Sequence, residues 1–248
     1  FTNAGIIDSS RKTNVLTVGN AQLDTSVKKF GSASAEFDHT GDYLKISRGS
    51  FIPIGLGDFT IECWIKSKQT TSGYYTALGQ WAASSDFGWM IRYASQDIGT
   101  GWSFFYSTNG TNYYTTMGSD ISDAAWHHVA VSRSGTSIRT FTDGTLNNTT
   151  TTSHTFHNSG ETFKLGGQTG NYFNGRLSNV RVVKGTALYK PSFTLPEINQ
   201  VASGALSYYY PNNKTITYSI QRTLQILRDN GKIVFIDRGV YGWSDKDT

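Results

Sequence analysis

Apolar and polar residues alternate along much of the chain with a period of two, the pattern of half-buried β-strands. In the segment 59–66, the apolar face carries Phe59, Ile61, Cys63 and Ile65. Similar runs predict further strands at 33–37, 43–46, 74–81, 87–94, 101–107, 112–116, 126–133, 137–142, 161–166 and 172–183. Helical periodicity is almost absent before residue 215. Many short strands at even spacing predict an all-β protein.

Two dipeptides predict tight turns between these strands. Asp143-Gly144 and Asn109-Gly110 each separate two extended runs, and both are favoured in β-hairpin turns. A parallel α/β fold would need helical segments between the strands, and the pattern contains none. We therefore expect a two-sheet antiparallel sandwich of the jelly-roll type with a short C-terminal β-hairpin extension.

A domain boundary is predicted where the pattern breaks. Prolines and polar residues interrupt it between 191 and 202. This divides the chain into a sandwich over 1–197 and a β-rich extension over 198–248. In the extension, 223–237 reads as two strands around Asp229-Asn230-Gly231, with a short helix over 219–229 as the alternative. About fifty residues bury little by themselves, so the extension is expected to serve packing or assembly.

Composition argues against two classes of partner, nucleic acids and membranes. The 248 residues carry a formal net charge of +4, and the basic residues are scattered, so no nucleic-acid partner is expected. The single cysteine, Cys63, excludes an internal disulfide framework and fits assembly in a reducing cytoplasm. No apolar run is long enough to span a bilayer, so no membrane insertion is expected. The chain does not begin with Met, and we expect it to start inside a longer polypeptide or after processing.

Seven short motifs follow one another in a specific order. They are Phe30-Gly31-Ser32-Ala33-Ser34, Gly41-Asp42-Tyr43-Leu44, 57–65, 126–133, Phe141-Thr142-Asp143-Gly144, 173–182 and Gly185-Thr186-Ala187-Leu188-Tyr189. In this order they resemble the laminin-G-like, concanavalin A-like jelly-roll domains of bacteriophage structural proteins, cyanophage virion proteins especially. The resemblance covers residues 1 to about 197, and the last fifty residues resemble no family that we can name.

The resemblance implies a non-enzymatic virion protein: a tail-fibre, head-fibre or capsid-decorating module. Its implied partners are other virion proteins, further copies of itself in a homo-oligomer, and host-surface polysaccharide. The alternative is a secreted or cell-surface carbohydrate-binding or adhesion domain. A polysaccharide hydrolase on the same fold is a third reading, but the Glu-x-Asp-x-Glu spacing of laminarinase-type relatives is absent and the chain has only four Glu. We therefore expect no enzyme.

Aromatic residues are dense between 74 and 114, and aromatic faces are where sugars stack. Strand alternation sends about half of them inward, so core packing is the competing interpretation. As candidate glycan contacts we select four aromatic residues and two polar neighbours: Trp89, Tyr93, Trp102, Tyr106, Asp86 and Asn109.

A structural calcium ion is the cofactor that the resemblance implies, held near the first strand and by an acid in the final strand. Asp8 and Asp42 are the candidate ligands, although Ser178-Asn179 stand where the final-strand acid is expected. Turn-capping by these aspartates is the alternative. His127 and His128 should point to opposite faces of a strand and cannot chelate one metal. His154-x-x-His157 is a weak metal signal, and no other cofactor is expected.

Overall fold

A computed structural model describes residues 16–31, 33–46, 54–68, 73–82, 84–93, 101–168 and 170–195, and the strands 197–200, 206–209, 233–237 and 240–243. Contacts along the chain divide it into two units, Phe1–Phe193 and Thr194–Thr248. Whether each unit folds independently, as the predicted division at 197 implies, stays a prediction.

The N-terminal unit is built from β-strands that match the periodicity of the sequence. Its strands are β1 (Leu16–Gly19), β2 (Gln22–Asp24), β3 (Ser34–Asp38), β4 (Tyr43–Ile46), β5 (Phe59–Ser67), β6 (Tyr75–Trp81), β7 (Phe87–Tyr93), β8 (Gly101–Ser107), β9 (Tyr113–Asp120), β10 (His127–Ser134), β11 (Ser137–Thr142), β12 (Thr145–Thr151), β13 (Lys164–Leu165), β14 (Gly167–Gln168), β15 (Asn171–Tyr172) and β16 (Asn174–Lys184). The described residues contain no helix, and so none that could cross a membrane.

Two sheets form the sandwich. Sheet 1 runs β1-β4-β13-β6-β7-β8-β9, with β14 and β15 beside β6, and sheet 2 runs β12-β11-β10-β5-β16-β3-β2. Neighbouring strands are antiparallel except for the short parallel pair of β15 with β6. Since β5 and β16 are sequentially distant yet adjacent in sheet 2, the connections cross between the sheets, as the predicted jelly-roll sandwich requires.

Both predicted turns are confirmed. Asp143 and Gly144 have φ values of 50° and 79° in the two-residue loop between β11 and β12, which is the conformation of a type I′ hairpin. Asn109-Gly110 lies in the longer loop between β8 and β9. There Ser107 Oγ accepts the Gly110 N–H at 2.9 Å and donates to the Asn112 carbonyl oxygen at 2.6 Å. This network fixes the register of the β8–β9 pair.

Large side chains from alternate positions fill the space between the sheets. Trp89, Trp102, Phe104 and Tyr106 of sheet 1 are no more than 2% exposed, and they share one core with residues of sheet 2 such as Val131. The Trp102 indole N–H donates to Thr142 Oγ1 at 2.9 Å, which joins the two sheets. Aromatic side chains each bury large apolar areas, so this layer supplies much of the stability of the sandwich.

The second half of the predicted pattern differs from the structure in two places. Only Lys164–Leu165 is strand within the predicted 161–166, because Gly166 adopts a φ of 83° and turns the chain. The predicted strand 172–183 is interrupted at Phe173 and bulges after Ser178, where Asn179 has a φ of 50°. Bulges depend on local backbone geometry that a period-two pattern does not record.

The C-terminal unit contains two strand pairs. β17 (Glu197–Gln200) pairs antiparallel with β18 (Leu206–Tyr209), and β19 (Ile233–Asp237) pairs antiparallel with β20 (Val240–Trp243). β19 corresponds to the second of the two strands predicted over 223–237. The strand that pairs with it in the structure is β20, which follows it in sequence. Residues 210–232, which include the predicted first strand and the alternative helix over 219–229, lie outside the described part of the chain.

Replacing Trp102 by Ala is expected to lower the free energy of unfolding by about 3–5 kcal/mol, since a fully buried indole is replaced by a cavity. Urea denaturation of the two proteins measures the difference. Leu56→Ala is the control, because Leu56 is 56% exposed and its truncation should change stability by no more than about 0.5 kcal/mol. Equal midpoints for Trp102→Ala and the unaltered chain would contradict the inter-sheet role of Trp102.

Candidate functional site

The structure places the four aromatic side chains selected from the sequence in the inter-sheet core. Trp89, Tyr93, Trp102 and Tyr106 are 2%, 0%, 0% and 1% exposed, respectively. Their rings pack among residues of both sheets and do not face solvent. The expectation that these four rings line an open groove is therefore corrected. The four residues lie on β7 and β8, but on the inner face of these strands.

The residues between them on β7 and β8 form a second cluster on the outer face of sheet 1. Met90 is paired with Phe105, and Arg92 with Ser103, in the register of β7 and β8. Met90, Phe105 and Trp81 make up a small hydrophobic cluster that is separate from the main core, with Phe87 packed against it. Period-two alternation requires this arrangement once Trp89 and Phe104 point inward.

A pocket opens on this outer face, and we call it the outer aromatic pocket. Its volume is about 160 Å³. Four aromatic residues, one cation, two amides and one small apolar residue line it: Trp81, Phe87, Phe105, Tyr113, Arg92, Gln168, Asn171 and Ala82.

The aromatic rings hold one another in place. Trp81 stacks on Phe87 with ring centroids 4.5 Å apart and an interplanar angle of 7°. Phe105 and Tyr113 approach the same indole at 6.4 Å and 6.0 Å in edge-to-face geometry. Such pairs are favourable beyond the apolar area they bury, so the pocket wall is preorganised. Tyr113 is 48% exposed and forms the open rim.

Arg92 supplies the positive charge of the pocket. Its guanidinium carbon lies 4.7 Å from the centroid of Tyr74 and 4.9 Å from that of Phe105. These cation–π contacts hold a planar group between two rings. The residue is 9% exposed, so its charge is largely removed from solvent.

Asp86 and Asn109, the two selected polar residues, organise loops at one end of the sheet. Asp86 Oδ1 lies 2.6 Å from His157 Nε2, and its Oδ2 accepts the Gly160 N–H at 2.9 Å. Partial burial raises the pKa of Asp86, but these hydrogen bonds outweigh that effect and the net pKa is lowered. Asn109 Oδ1 accepts the Thr111 and Asn112 N–H groups in a turn. Neither residue lines the outer aromatic pocket.

Asp42 has the contacts of a turn-stabilising residue. It is 2% exposed, and its two carboxylate oxygens accept hydrogen bonds from the Asn20 amide at 2.9 Å and the Asp38 N–H at 2.7 Å. Burial raises its pKa, which weakens it as a ligand for a hard cation. Among the described residues, no group of three or more His, Cys, Asp or Glu could hold a metal ion. Asp8 lies outside them, so calcium stays a prediction.

The histidines follow the predicted alternation and serve separate structural partners. His127 hydrogen-bonds Asp143 at 2.6 Å and Asp123 at 2.8 Å, whereas His128 is buried beside Glu62 at 3.3 Å. Burial lowers the pKa of His127, but the two carboxylates outweigh it and the net pKa is raised. His154 approaches Tyr106 at 3.4 Å, and His157 bonds Asp86. The His-x-x-His pair therefore has two different partners.

The outer face of sheet 2 is closed by the segment 185–193. Tyr189 stacks on Phe193 at 3.7 Å, and the Tyr189 hydroxyl donates to Glu62 at 2.6 Å. Glu62 also pairs with Arg181 and His128. Burial raises the pKa of Glu62, but these partners outweigh it and the net pKa is lowered. This carboxylate is 5% exposed, so it stabilises the packing of the segment and does not face solvent.

The architecture and a family comparison agree. The family model described as the concanavalin A-like lectin/glucanases superfamily matches residues 38–188, which is more than half of the chain. The chain belongs to this superfamily. The match includes the strands that carry the outer aromatic pocket, from β6 to β15. No curated protein matches the chain.

The solved structures that resemble this chain include binding domains of toxins. The binding domain of Paraclostridial Mosquitocidal Protein 1 has a TM-score of 0.58 at 14% identity, and covers 76% of this chain and 48% of its own. The binding domain of botulinum neurotoxin serotype G has a TM-score of 0.58 at 13% identity, with 74% and 46% covered. That of botulinum neurotoxin DC in complex with SialylT has a TM-score of 0.57 at 18% identity, with 75% and 47% covered.

These similarities establish the fold alone, since the identities are low. The chain spans about half the length of each of these toxin domains. A second family model, described as the Dam-replacing HTH domain, matches residues 181–242, about a quarter of the chain. The first residues of that match belong to β16 of the sandwich, and the remainder includes β17 to β20.

The sequence contained one signal for the correct face. Arg92 alternates with Tyr93 and Ile91 on β7, and a charged residue rarely faces a dry core without partners. This places Arg92 on the outer face of the sheet and Tyr93 on the inner face. In the register of β7 and β8, Phe105 lies on the same face as Arg92. The contributions of Gln168 and Asn171 could not be found in this way, because they come from the irregular strands β14 and β15.

Proposed function

We propose that this chain is a non-enzymatic carbohydrate-binding module whose ligand occupies the outer aromatic pocket. The observation that carries the proposal is the combination, in one open pocket, of preorganised aromatic rings with a cation and two amides. Sugars present apolar C–H faces that pack on aromatic rings, and hydroxyl groups that need amide or charged partners.

The size of the pocket restricts what it can hold. Pockets that enclose drug-sized ligands have volumes of ~300–1,000 Å³. The outer aromatic pocket has about 160 Å³ and an exposed Tyr113 at its rim. It therefore suits one sugar ring of a longer glycan, with the rest of the chain lying over the face of the sheet.

The chemistry of this face favours binding over hydrolysis. Glycosidases need two carboxylic groups on either side of the scissile bond. The side chains that β7 and β8 direct to the outer face beside the pocket are Met90, Arg92, Ser103 and Phe105. None of them is a carboxylate, and the described residues that line the pocket include no Asp or Glu. A bound sugar would meet rings, amides and a cation, which bind but do not protonate a leaving group.

We place this module in a bacteriophage virion, as a tail-fibre, head-fibre or capsid-decorating protein. Support comes from the order of the seven motifs, from the single cysteine and from the additional strands of the C-terminal unit. Copies of the chain would assemble symmetrically with other virion proteins and display many pockets at once. Multivalent display raises the avidity of shallow sites for a repetitive host polysaccharide.

A secreted or cell-surface adhesion domain is the alternative setting. The toxin structures of the same fold include a binding domain of botulinum neurotoxin DC in complex with SialylT and one in complex with rat synaptotagmin II. Antibodies raised against the chain distinguish the two settings. We expect them to label purified phage particles in electron micrographs, and labelling of uninfected cell surfaces instead would favour the adhesion domain.

Nucleic-acid binding is a second candidate function, and it concerns the C-terminal unit. The match of residues 181–242 to the Dam-replacing HTH domain favours it. Within 206–243 the chain has five basic and two acidic residues, a formal net charge of +3. In the sequence, Lys232 precedes β19 and Arg238 follows it. Basic residues suit contacts with phosphates.

Replacing Tyr113 by Ala is expected to reduce binding to host-envelope polysaccharide by about tenfold or more, because a ring at the pocket rim is lost. Binding of the purified chain to a glycan array and to cell envelopes measures the effect. Tyr114→Ala is the matched control: the adjacent tyrosine on β9 is 43% exposed and stacks on Tyr106, on the other face of the strand. It should leave binding unchanged.

Repeating the array with calcium and with a chelator tests the predicted metal. Equal binding in both would show that the pocket acts without calcium, and loss in chelator alone would assign the ion a role. Equal losses for the Tyr113 and Tyr114 variants, or no binding of any glycan, would contradict the proposed site.

If the C-terminal unit binds nucleic acid, the full chain should bind a short DNA duplex at low salt, with affinity falling steeply as salt rises. Removing both Lys232 and Arg238 should lower the salt-dependence slope by about two, one for each lost phosphate contact. Fluorescence anisotropy measures both effects. Lys190→Ala, a change of an exposed lysine outside this unit, is the control. Absence of binding at low salt would exclude this function.

A further inference from the structure

We infer that the outer aromatic pocket is selective for N-acetylated amino sugars, with the acetamido N–H of the ligand donating a hydrogen bond to Gln168 Oε1. The inference rests on the proposed carbohydrate-binding function and specifies its ligand class. An acetamido group combines an N–H donor, a carbonyl acceptor and a methyl group in one planar unit, and the pocket offers a partner for each of them.

Gln168 presents an acceptor of fixed orientation. Its Nε2 donates to the Gly79 carbonyl oxygen at 2.9 Å. Because a carbonyl oxygen only accepts, this bond assigns the amide nitrogen and leaves Oε1 as the acceptor. Gln168 lies on β14 and Gly79 on β6, so the bond ties the side chain to a strand of sheet 1. The amide therefore cannot turn its N–H groups toward a ligand without breaking this bond.

The amide oxygen of Gln168 is buried and has no hydrogen-bond partner among the described residues. The residue is 4% exposed and lines the outer aromatic pocket. Buried polar side-chain atoms in native proteins are mostly hydrogen-bonded, so an acceptor of this kind in a pocket wall indicates a ligand that donates to it.

The composition of the lining discriminates among the donors that sugars carry. An ammonium group would need a carboxylate partner, and the described residues that line the pocket include no Asp or Glu. A hydroxyl group brings two lone pairs with its proton, and these would lie unpaired against the aromatic rings that make up half of the lining. An amide nitrogen brings a proton and no acceptor. The N–H of an acetamido group is therefore the donor that best suits Gln168 Oε1.

The aromatic residues of the lining suit the rest of the same group. Phe105 and Trp81 are 0% and 6% exposed, and Phe87 stacks on Trp81 at 4.5 Å. A methyl group gains apolar burial against such rings, which a hydroxyl in its place does not. Tyr113, at the exposed rim, packs on the C–H face of the pyranose ring. Half-buried Asn171 adds an amide whose N–H groups suit the acetamido carbonyl oxygen.

The test exchanges one group of the ligand. Oligosaccharides ending in N-acetylglucosamine or N-acetylgalactosamine are titrated against the full chain by calorimetry. Their analogues carry an O-acetyl ester, an ammonium group or a hydroxyl group in place of the acetamido group. The ester keeps the methyl and carbonyl groups but replaces the N–H by an oxygen atom, which would face Gln168 Oε1 as a second acceptor. We expect the ester to bind about 10- to 100-fold more weakly than the amide, and the other two analogues to bind more weakly than the amide as well.

Gln168→Met isolates the role of the acceptor. Methionine has a similar shape but offers only a weak acceptor, so the amide should lose its advantage over the ester. The same change removes the donor to the Gly79 carbonyl oxygen and lowers stability. Gln80→Met is the matched control, because Gln80 is 2% exposed, donates to the Glu161 carbonyl oxygen at 2.8 Å and is not among the described residues that line the pocket. It should keep the preference for the amide.

The outcomes separate the inference from the function on which it rests. Equal affinity for amide and ester, with both reduced by Tyr113→Ala, would overturn the selectivity and leave carbohydrate binding intact. Binding of the hydroxyl analogue as tightly as the amide, or an amide preference that persists in Gln168→Met, would also overturn it. No binding of any sugar would overturn the proposed function together with the inference. If Gln168→Met does not fold, the comparison of amide with ester on the unaltered chain decides.

Discussion

The aromatic layer between the two sheets is the interaction on which the rest of the molecule depends. Trp89, Trp102, Phe104 and Tyr106 fix the distance between the sheets, and the hydrogen bond of Trp102 to Thr142 fixes their lateral position. Once these rings point inward, the alternate residues of the same strands must point outward. The outer aromatic pocket is therefore a consequence of the core, and its wall is as rigid as the sheet that carries it.

The outer faces of the two sheets differ, because the chain returns over the outer face of sheet 2. The segment 185–193 covers sheet 2 with Tyr189 and Phe193, and it satisfies the buried charge of Glu62 through the Tyr189 hydroxyl. Removing that partner would leave a buried carboxylate with weaker compensation, which is costly. On the outer face of sheet 1, Phe105 and Arg92 line a pocket instead.

Much of the fold was predictable from sequence, because alternation, turn dipeptides and strand spacing are local properties. The segments 59–66, 101–107 and 137–142 became strands almost to the residue, and both glycine turns formed as expected. The prediction was wrong about the face of the strands on which the aromatic residues lie. Trp89 and Trp102 look equally suited to a core or to a groove, and the choice depends on packing against sheet 2. Gln168 lies in an irregular strand after two glycines, where local patterns carry little information.

Tyr113 and Tyr114 are adjacent in sequence, yet one forms the rim of the pocket and the other stacks on the core side. The length of the loop between β8 and β9 determines which tyrosine lies at the pocket and which on the core side. An insertion that shifts the register of β9 by one residue would exchange its two faces, whereas a shift by two residues would preserve them. Substitution at every second position of these strands changes the pocket, while the intervening positions preserve the fold. The residues of the pocket and those of the core are thus interleaved in sequence but separable in effect.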